Sequence, residues 1–109
     1  MNEIKAFIRV ECLENVLETL YAHPECPGIT ISEVFGYGHS DSERSESDLV
    51  RIHMLKLECI ATDAISNDVV QMIGQAARTG RAGDGRISVH RLEQVVKIGT
   101  GKAVREETE

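Results

Sequence analysis

Glu3-Ile4-Lys5-Ala6-Phe7-Ile8-Arg9-Val10 runs into Glu11-Cys12-Leu13-Glu14-Asn15-Val16-Leu17-Glu18-Thr19-Leu20-Tyr21-Ala22, and the hydrophobic period changes at the junction. In the first segment Ile4, Ala6, Ile8 and Val10 alternate with Lys5, Phe7 and Arg9, the period of two that predicts a strand with one face on a core. In the second, Leu13, Val16, Leu17, Leu20 and Tyr21 recur at helical spacing, with Glu11, Glu14 and Glu18 toward the positive end of the dipole. A helix over 12–22 follows. It ends at His23-Pro24, because proline lacks an amide donor and disfavours helix in the residue before it.

Outward from this strand-helix unit, the β-branched run Ile29-Thr30-Ile31 and then Val34-Phe35 predict a second strand between Gly28 and Gly38, with Gly36 and Gly38 loosening its far end. Residues 39–48 contain no apolar member and read as a solvated loop. Strand character returns over Leu49–Ala61, where Val50, Ile52 and Met54 give way to Leu55, Leu57, Cys59 and Ala61. That one-residue shift of phase implies either a bulge or a change of covered face. Thr62-Asp63 supplies an N-cap for a second helix carrying Ile65, Val69, Met72, Ile73, Ala76 and Ala77 on one side, with Gly80 as its stop. A glycine-rich turn over 79–86 leads to a short strand, Ile87–His90, then to the apolar piece 95–98 and a polar tail from Gly99 expected to be mobile. The order βαββαβ predicts a ferredoxin-like α+β fold, an antiparallel sheet with two helices on one face. The other sheet face stays partly apolar, so self-association is expected.

The chain of 109 residues fits one domain, 1–109. Its uncharged stretches fall far short of the roughly 20 apolar residues of a bilayer span, and its N-terminus lacks a signal-peptide pattern, so a cytoplasmic address without membrane insertion is expected. Twelve basic residues against 18 acidic ones give a net charge of -6, which disfavours nucleic acid as a partner. Aromatic residues are 4% of the chain with no tryptophan, too few for base-stacking platforms. Cys12, Cys26 and Cys59 have no CxxC spacing and read as buried thiols rather than a disulfide framework.

The strongest local signal is Thr79-Gly80-Arg81-Ala82-Gly83-Asp84-Gly85-Arg86. Glycines permit backbone torsions that aim successive N–H groups at an anion, and Arg81 and Arg86 supply charge, so the stretch suits a phosphate. It is not a P-loop: no GK[ST] closes it and it follows a helix. A tight helix-to-strand turn is the plainer reading of the same residues. Gly36-Tyr37-Gly38 and Val95-Val96-Lys97-Ile98-Gly99-Thr100-Gly101-Lys102 add two further glycine stretches, the second flanked by cations.

Gly80-Arg81-Ala82-Gly83-Asp84-Gly85-Arg86-Ile87, Val96-Lys97-Ile98-Gly99-Thr100-Gly101 and Ile29-Thr30-Ile31-Ser32-Glu33-Val34-Phe35-Gly36-Tyr37-Gly38 together closely resemble the PII signalling proteins, over Ile4 to about Gly101. The resemblance implies a homotrimeric regulator, linked to nitrogen regulation, that holds an adenine nucleotide (ATP, ADP or AMP) in clefts between subunits. It also implies a T-loop that docks a membrane transporter or a metabolic enzyme. On that basis Gly83, Asp84, Gly85 and Arg86 match the phosphate-binding loop, and Gly36 and Gly38 match the T-loop base. Thr30, Glu58 and Ile60 match positions around adenine and ribose, and Lys97 stands where an arginine reaches across to the phosphates. The T-loop falls at about 39–49, with His39, Ser40, Asp41, Glu43, Arg44, Glu46 and Asp48 as docking groups, and the mobile tail at about 102–109.

Several positions depart from the pattern. The T-loop is shorter than usual and has no tyrosine at its tip, so uridylylation is not implied. Ser40 replaces the glutamine that holds magnesium and 2-oxoglutarate, Met54 replaces a lysine of strand three, and Gly99 replaces a second arginine. Magnesium stays an allowed companion of the nucleotide; 2-oxoglutarate is not expected. Loss of two cations costs a triphosphate most, so ATP sensing is expected to weaken in favour of shorter adenylates.

The alternative reading is a trimeric CutA-like metal-binding or metal-tolerance protein. It would gather His23, His39, His53, His90 and the cysteines, with His39 and His53 approaching across a hairpin, although no HxH, CxxC or HExxH spacing joins them. An enzyme needs a nucleophile with a base or two converging carboxylates, and neither can be placed, so none is expected.

Overall fold

The computed structural model describes residues 1–39 and 49–105. The elements are β1 (Asn2–Ile8), α1 (Leu13–Tyr21), β2 (Thr30–His39), β3 (Leu49–Ala61), α2 (Asp63–Ala76), β4 (Gly85–Arg91) and a small hairpin of β5 (Val96–Lys97) and β6 (Lys102–Ala103). The main sheet runs β2-β3-β1-β4, antiparallel throughout, which is the expected ferredoxin-like arrangement.

The period-two alternation of β1 is reproduced residue by residue: Asn2, Ile4, Ala6 and Ile8 are buried and the residues between them half-buried. The inward set packs with Leu55, Leu57, Cys59 and Ala61 of β3 under Val16 and Leu20 of α1 and Ile65, Val69, Ile73 and Ala76 of α2. Each large aliphatic side chain removed from water here contributes about 1.5–3 kcal/mol. Among the polar residues, Asn2 and Ser66 are also buried. They satisfy one another, Asn2 Nδ2 donating to Ser66 Oγ at 2.9 Å, while Ser66 Oγ donates to the Thr62 carbonyl at 2.7 Å. This ties the start of β1 to the start of α2.

The change of phase in β3 is a change of face. Both of its ladders keep unbroken register, from Thr30↔Glu58 to His39↔Leu49 with β2 and from Asn2↔Ala61 to Ile8↔Leu55 with β1, so there is no bulge. Leu55–Ala61 lies beside β1 beneath the helices, and Leu55–Glu58 is flanked by β2 as well. Leu49–Met54 runs on past the end of β1, where Val50, Ile52 and Met54 turn to the helix-free side.

Other expectations shift at their edges. β1 stops at Ile8 and Val10–Cys12 forms a 3₁₀ turn, which leaves Val10 exposed instead of in the strand's inward row. Thr62 occupies the N-cap position of α2, but its side chain makes no capping bond. Gly85 and Arg86 already belong to β4, because they pair with Ile8 and Phe7 of β1. The tail expected to be mobile from 102 is paired at its start, Val96↔Ala103 and Lys97↔Lys102, and residues 106–109 lie outside the described residues. Cys12 and Cys59 are buried as expected, whereas Cys26 is only half-buried, and all three are free thiols. Among the described residues no helix is long and apolar enough to cross a membrane.

Leu20 is 1% exposed and clamps α1 onto the sheet. Leu20→Ala is expected to lower the unfolding free energy by about 2–5 kcal/mol, read as a shift of the urea midpoint with an unchanged slope.

Candidate functional site

The glycine turn that joins α2 to β4 owes its shape to backbone torsions that side chains resist. Gly80, Gly83 and Gly85 have φ of 85°, 87° and 114°. At Gly85 space is lacking too: an added Cβ would lie 1.8 Å from the Phe7 carbonyl oxygen and 3.3 Å from Met54 Cε. Glycine is therefore required where β4 joins β1, and the thioether methyl of Met54 lies against that point.

Asp84 sits inside the turn as an acceptor. Arg9 Nε donates to its Oδ1 at 2.9 Å, the Thr79 hydroxyl donates to the same oxygen, and the Thr79 amide donates to Oδ2 at 2.8 Å. Arg9 Nη2 also donates to the Ala82 carbonyl at 2.7 Å. The Thr79 hydroxyl and amide, then the Arg9 guanidinium, hold the Asp84 carboxyl far below the usual carboxylate range. Its ionised form is thus kept into acid, and its contribution to stability, present above the ordinary aspartate pKa, fades only below that range.

On the helix-free side of the sheet the pairing aligns residues across strands. Ser32, Lys56, Phe7 and Arg86 form one row, and Thr30, Glu58, Lys5 and Ser88 the next. Beyond them the β2–β3 ribbon presents Val34 opposite Met54, Gly36 opposite Ile52 and Gly38 opposite Val50. A depression of about 610 Å³ lies where this ribbon meets the glycine turn, bounded by Phe7, Gly36, Gly38, Ile52, Met54 and residues 83–86.

The structure thus brings together six of the residues singled out from sequence: Gly36, Gly38, Gly83, Asp84, Gly85 and Arg86. Thr30, Glu58 and Ile60 meet elsewhere, around a second depression of about 460 Å³ that Glu3, Gly28 and Cys59 also line. Thr30 and Gly36 are six residue steps apart along β2, about 20 Å at the usual strand rise. Lys97 lines neither depression. It lies exposed on β5, directly opposite Lys102. Glu58 pairs with Lys56 at 3.6 Å. Burial, with Cys26 nearby, pushes the Cys59 thiol up to about 11, so it stays protonated and unreactive.

Of the docking residues only His39 is described, as the last residue of β2; Ser40, Asp41, Glu43, Arg44, Glu46 and Asp48 lie outside the described residues. His53 is not the ladder partner of His39, which stands opposite Leu49. His53 faces Phe35 across the ribbon, its ring stacked on that of Phe35 at 4.8 Å and its Nε2 2.8 Å from Glu33 Oε2, while Arg51 covers Phe35 at 4.1 Å. Among the described residues no group of three or more His, Cys, Asp or Glu side chains is placed to hold a metal ion.

Sequence reading missed Arg9, the role of Thr79 as donor to Asp84, and the apolar wall of Phe7, Val34 and Ile52. The phase of Val50, Ile52 and Met54 carried the signal for the wall, but nothing local marks Arg9 as a partner of residue 84.

Comparison with known proteins decides the family. The sequence model described as nitrogen regulatory protein P-II matches residues 1–102. The chain belongs to the P-II family. It is 35% identical to nitrogen regulatory protein P-II of Rhodospirillum rubrum over 94% of this chain and 95% of the relative. It is 38% identical to nitrogen regulatory protein P-II 2 of Methanothermobacter thermautotrophicus over 94% and 93%, and 33% identical to nitrogen regulatory protein GlnK2 of Haloferax mediterranei over 94% and 87%. The CutA-like reading finds no support in these comparisons.

The two positive-φ glycines that flank this P-II turn separate torsion from crowding. Gly80→Ala, with open space around the new methyl, is expected to cost about 1–2 kcal/mol. Gly85→Ala, which must push β4 off β1, is expected to exceed 4 kcal/mol. Urea unfolding of the two variants checks the order.

Proposed function

We propose that this P-II family member is a signal-transduction regulator that binds an adenine nucleotide between protomers of a homotrimer and passes its ligand state to a partner through residues 39–49. The observation that carries the reading is the meeting of the glycine turn with Gly36 and Gly38 in one depression. A ligand there touches the backbone that leads straight into the loop. A ligand shifts a loop only through a difference in affinity for its states, so such a shared seat is what coupling requires. The partner class is a membrane transporter or a metabolic enzyme, and the function is binding rather than turnover.

The separation of the two depressions favours a site built by two chains. Thr30 on β2 and Glu58 and Ile60 on the facing part of β3 lie too far along the ribbon from Gly36 and Gly38 for one short nucleotide to touch both on the same protomer. The base end on one protomer and the phosphate end on its neighbour would complete each other across a seam. Lys97 and Lys102, side by side on the β5–β6 rung, repel one another unless an anion lies near, and supply the cation that reaches over.

The phosphate end has limited capacity for charge. Arg86 is the cation on its rim, while Met54, Ile52 and Phe7 wall it with apolar surface. Asp84 adds a negative charge already engaged by the protein. Such a seat suits the one or two phosphates of AMP or ADP better than magnesium-bound ATP, and nothing in it favours 2-oxoglutarate.

Calorimetric titration with AMP, ADP and ATP, with and without magnesium and 2-oxoglutarate, tests the reading. Binding of AMP or ADP ahead of ATP is expected. Arg86→Ala should weaken it tenfold or more, as the loss of about 1.5–3 kcal/mol from a charge-assisted bond implies. Met54→Lys should improve ATP relative to AMP. Absence of adenylate binding at millimolar concentration would overturn the proposal, and tight ATP binding that depends on 2-oxoglutarate would overturn the preference.

A further inference from the structure

We propose that Arg9 is the positioning residue of the 79–86 turn: from the end of β1 it braces Asp84 and Ala82 so that the turn is held ready for its anion, and Asp84 acts as a brace without touching the ligand. The inference rests on the reading of this turn as a phosphate seat, and it assigns the groups behind that seat.

Consider first what Asp84 has left to offer. An ionised carboxylate presents about four lone-pair sites. Arg9 Nε and the Thr79 hydroxyl occupy Oδ1 and the Thr79 amide occupies Oδ2, which uses three of those sites. An acid so supplied by protein donors is a poor ligand for a magnesium ion or a ribose hydroxyl. It is a good anchor for the chain around it. Thr79 extends the anchor, since its hydroxyl also accepts from the Arg81 amide at 3.2 Å.

Arg9 is what fixes this anchored turn to the body of the protein. Its planar fork donates from Nε to Asp84 and from Nη2 to the Ala82 carbonyl, two points on opposite sides of Gly83. A lysine, a single point charge, cannot reproduce both contacts at once. The pair is partly shielded, with side chains 17% and 22% exposed, so it is screened less than a surface bridge. A second link of opposite polarity, Glu11 to Arg81 at 3.6 Å, spans the same gap but is exposed, and so is the weaker of the two. Without Arg9, three residues with positive φ and a carboxylate facing no cation would keep only the exposed Glu11–Arg81 link across that gap. Order in the empty turn is what the ligand would otherwise have to supply on binding.

The test compares full-length wild type with Arg9→Ala, Arg9→Lys, Asp84→Ala and the Arg9→Ala/Asp84→Ala double variant. Two readouts are taken: AMP and ADP affinity by calorimetry, and amide hydrogen exchange of residues 79–86 without ligand. Arg9→Ala is expected to weaken binding at least fivefold and to speed exchange in the turn at least tenfold, with exchange in β1 and β3 unchanged. Arg9→Lys should recover part of both losses. The double variant should bind at least threefold better than the product of the single losses predicts. Should Arg9→Ala fail to fold, Arg9→Gln, which keeps a side-chain donor on a shorter stem, takes its place. Wild-type affinity and exchange in Arg9→Ala would overturn the inference, and so would losses that multiply in the double variant. If the wild type binds no adenylate, the proposed function falls while the exchange data still decide whether Arg9 braces the turn.

Discussion

Between Phe7 and Gly85 two backbones come so close that a single methyl group would collide with a carbonyl oxygen. That approach lets β4 take its place beside the central strand β1, in the register that sets Ile8 against Gly85 and Phe7 against Arg86. Everything on the helix-free side follows from it. Arg86 is delivered into the row that holds Phe7 and Lys56, Met54 comes to rest against the turn, and the end of β1 places Arg9 within reach of Asp84. The helices and the aliphatic core cover the other face of the sheet, but they do not choose this contact. A residue with no side chain does.

What could be read in the chain beforehand was whatever repeats locally. The switch from a period of two to helical spacing after Val10 and the apolar side of α2 gave the element order and hence the fold. Glycines at 80, 83 and 85 marked a turn with unusual torsions because no other residue adopts them freely. Register was not legible, since hydrophobic alternation fixes which face a residue occupies but not its partner. For that reason the phase change in β3 left two explanations open, and the bond between Arg9 and Asp84, 75 positions apart, was invisible. The β5–β6 pair escaped notice for another reason: a two-residue strand has no period at all.

The candidate site shows the same division. Residues defined by backbone freedom, Gly36, Gly38 and the turn, were picked from sequence and do gather in one place. Thr30, Glu58 and Ile60, singled out through the family resemblance, gather in another. Sequence offers no means of telling one site from two halves, because the distance between them is set by how far along a strand each group falls. A strand gains length with every residue, whereas a motif is blind to span.

The outer part of β3 has a mechanical meaning. From Leu49 to Met54 it is paired with β2 alone, and a two-stranded ribbon twists more readily than a sheet with neighbours on both sides. The Phe35 and His53 rings and the Arg51 guanidinium stacked along one surface stiffen it against bending without adding a third strand. The result has the build of a torsion bar, rooted in the core at Leu55 and bearing Gly36 and Gly38 in its outer half. Rotation applied at the His39–Leu49 end would reach those two glycines before the body of the sheet.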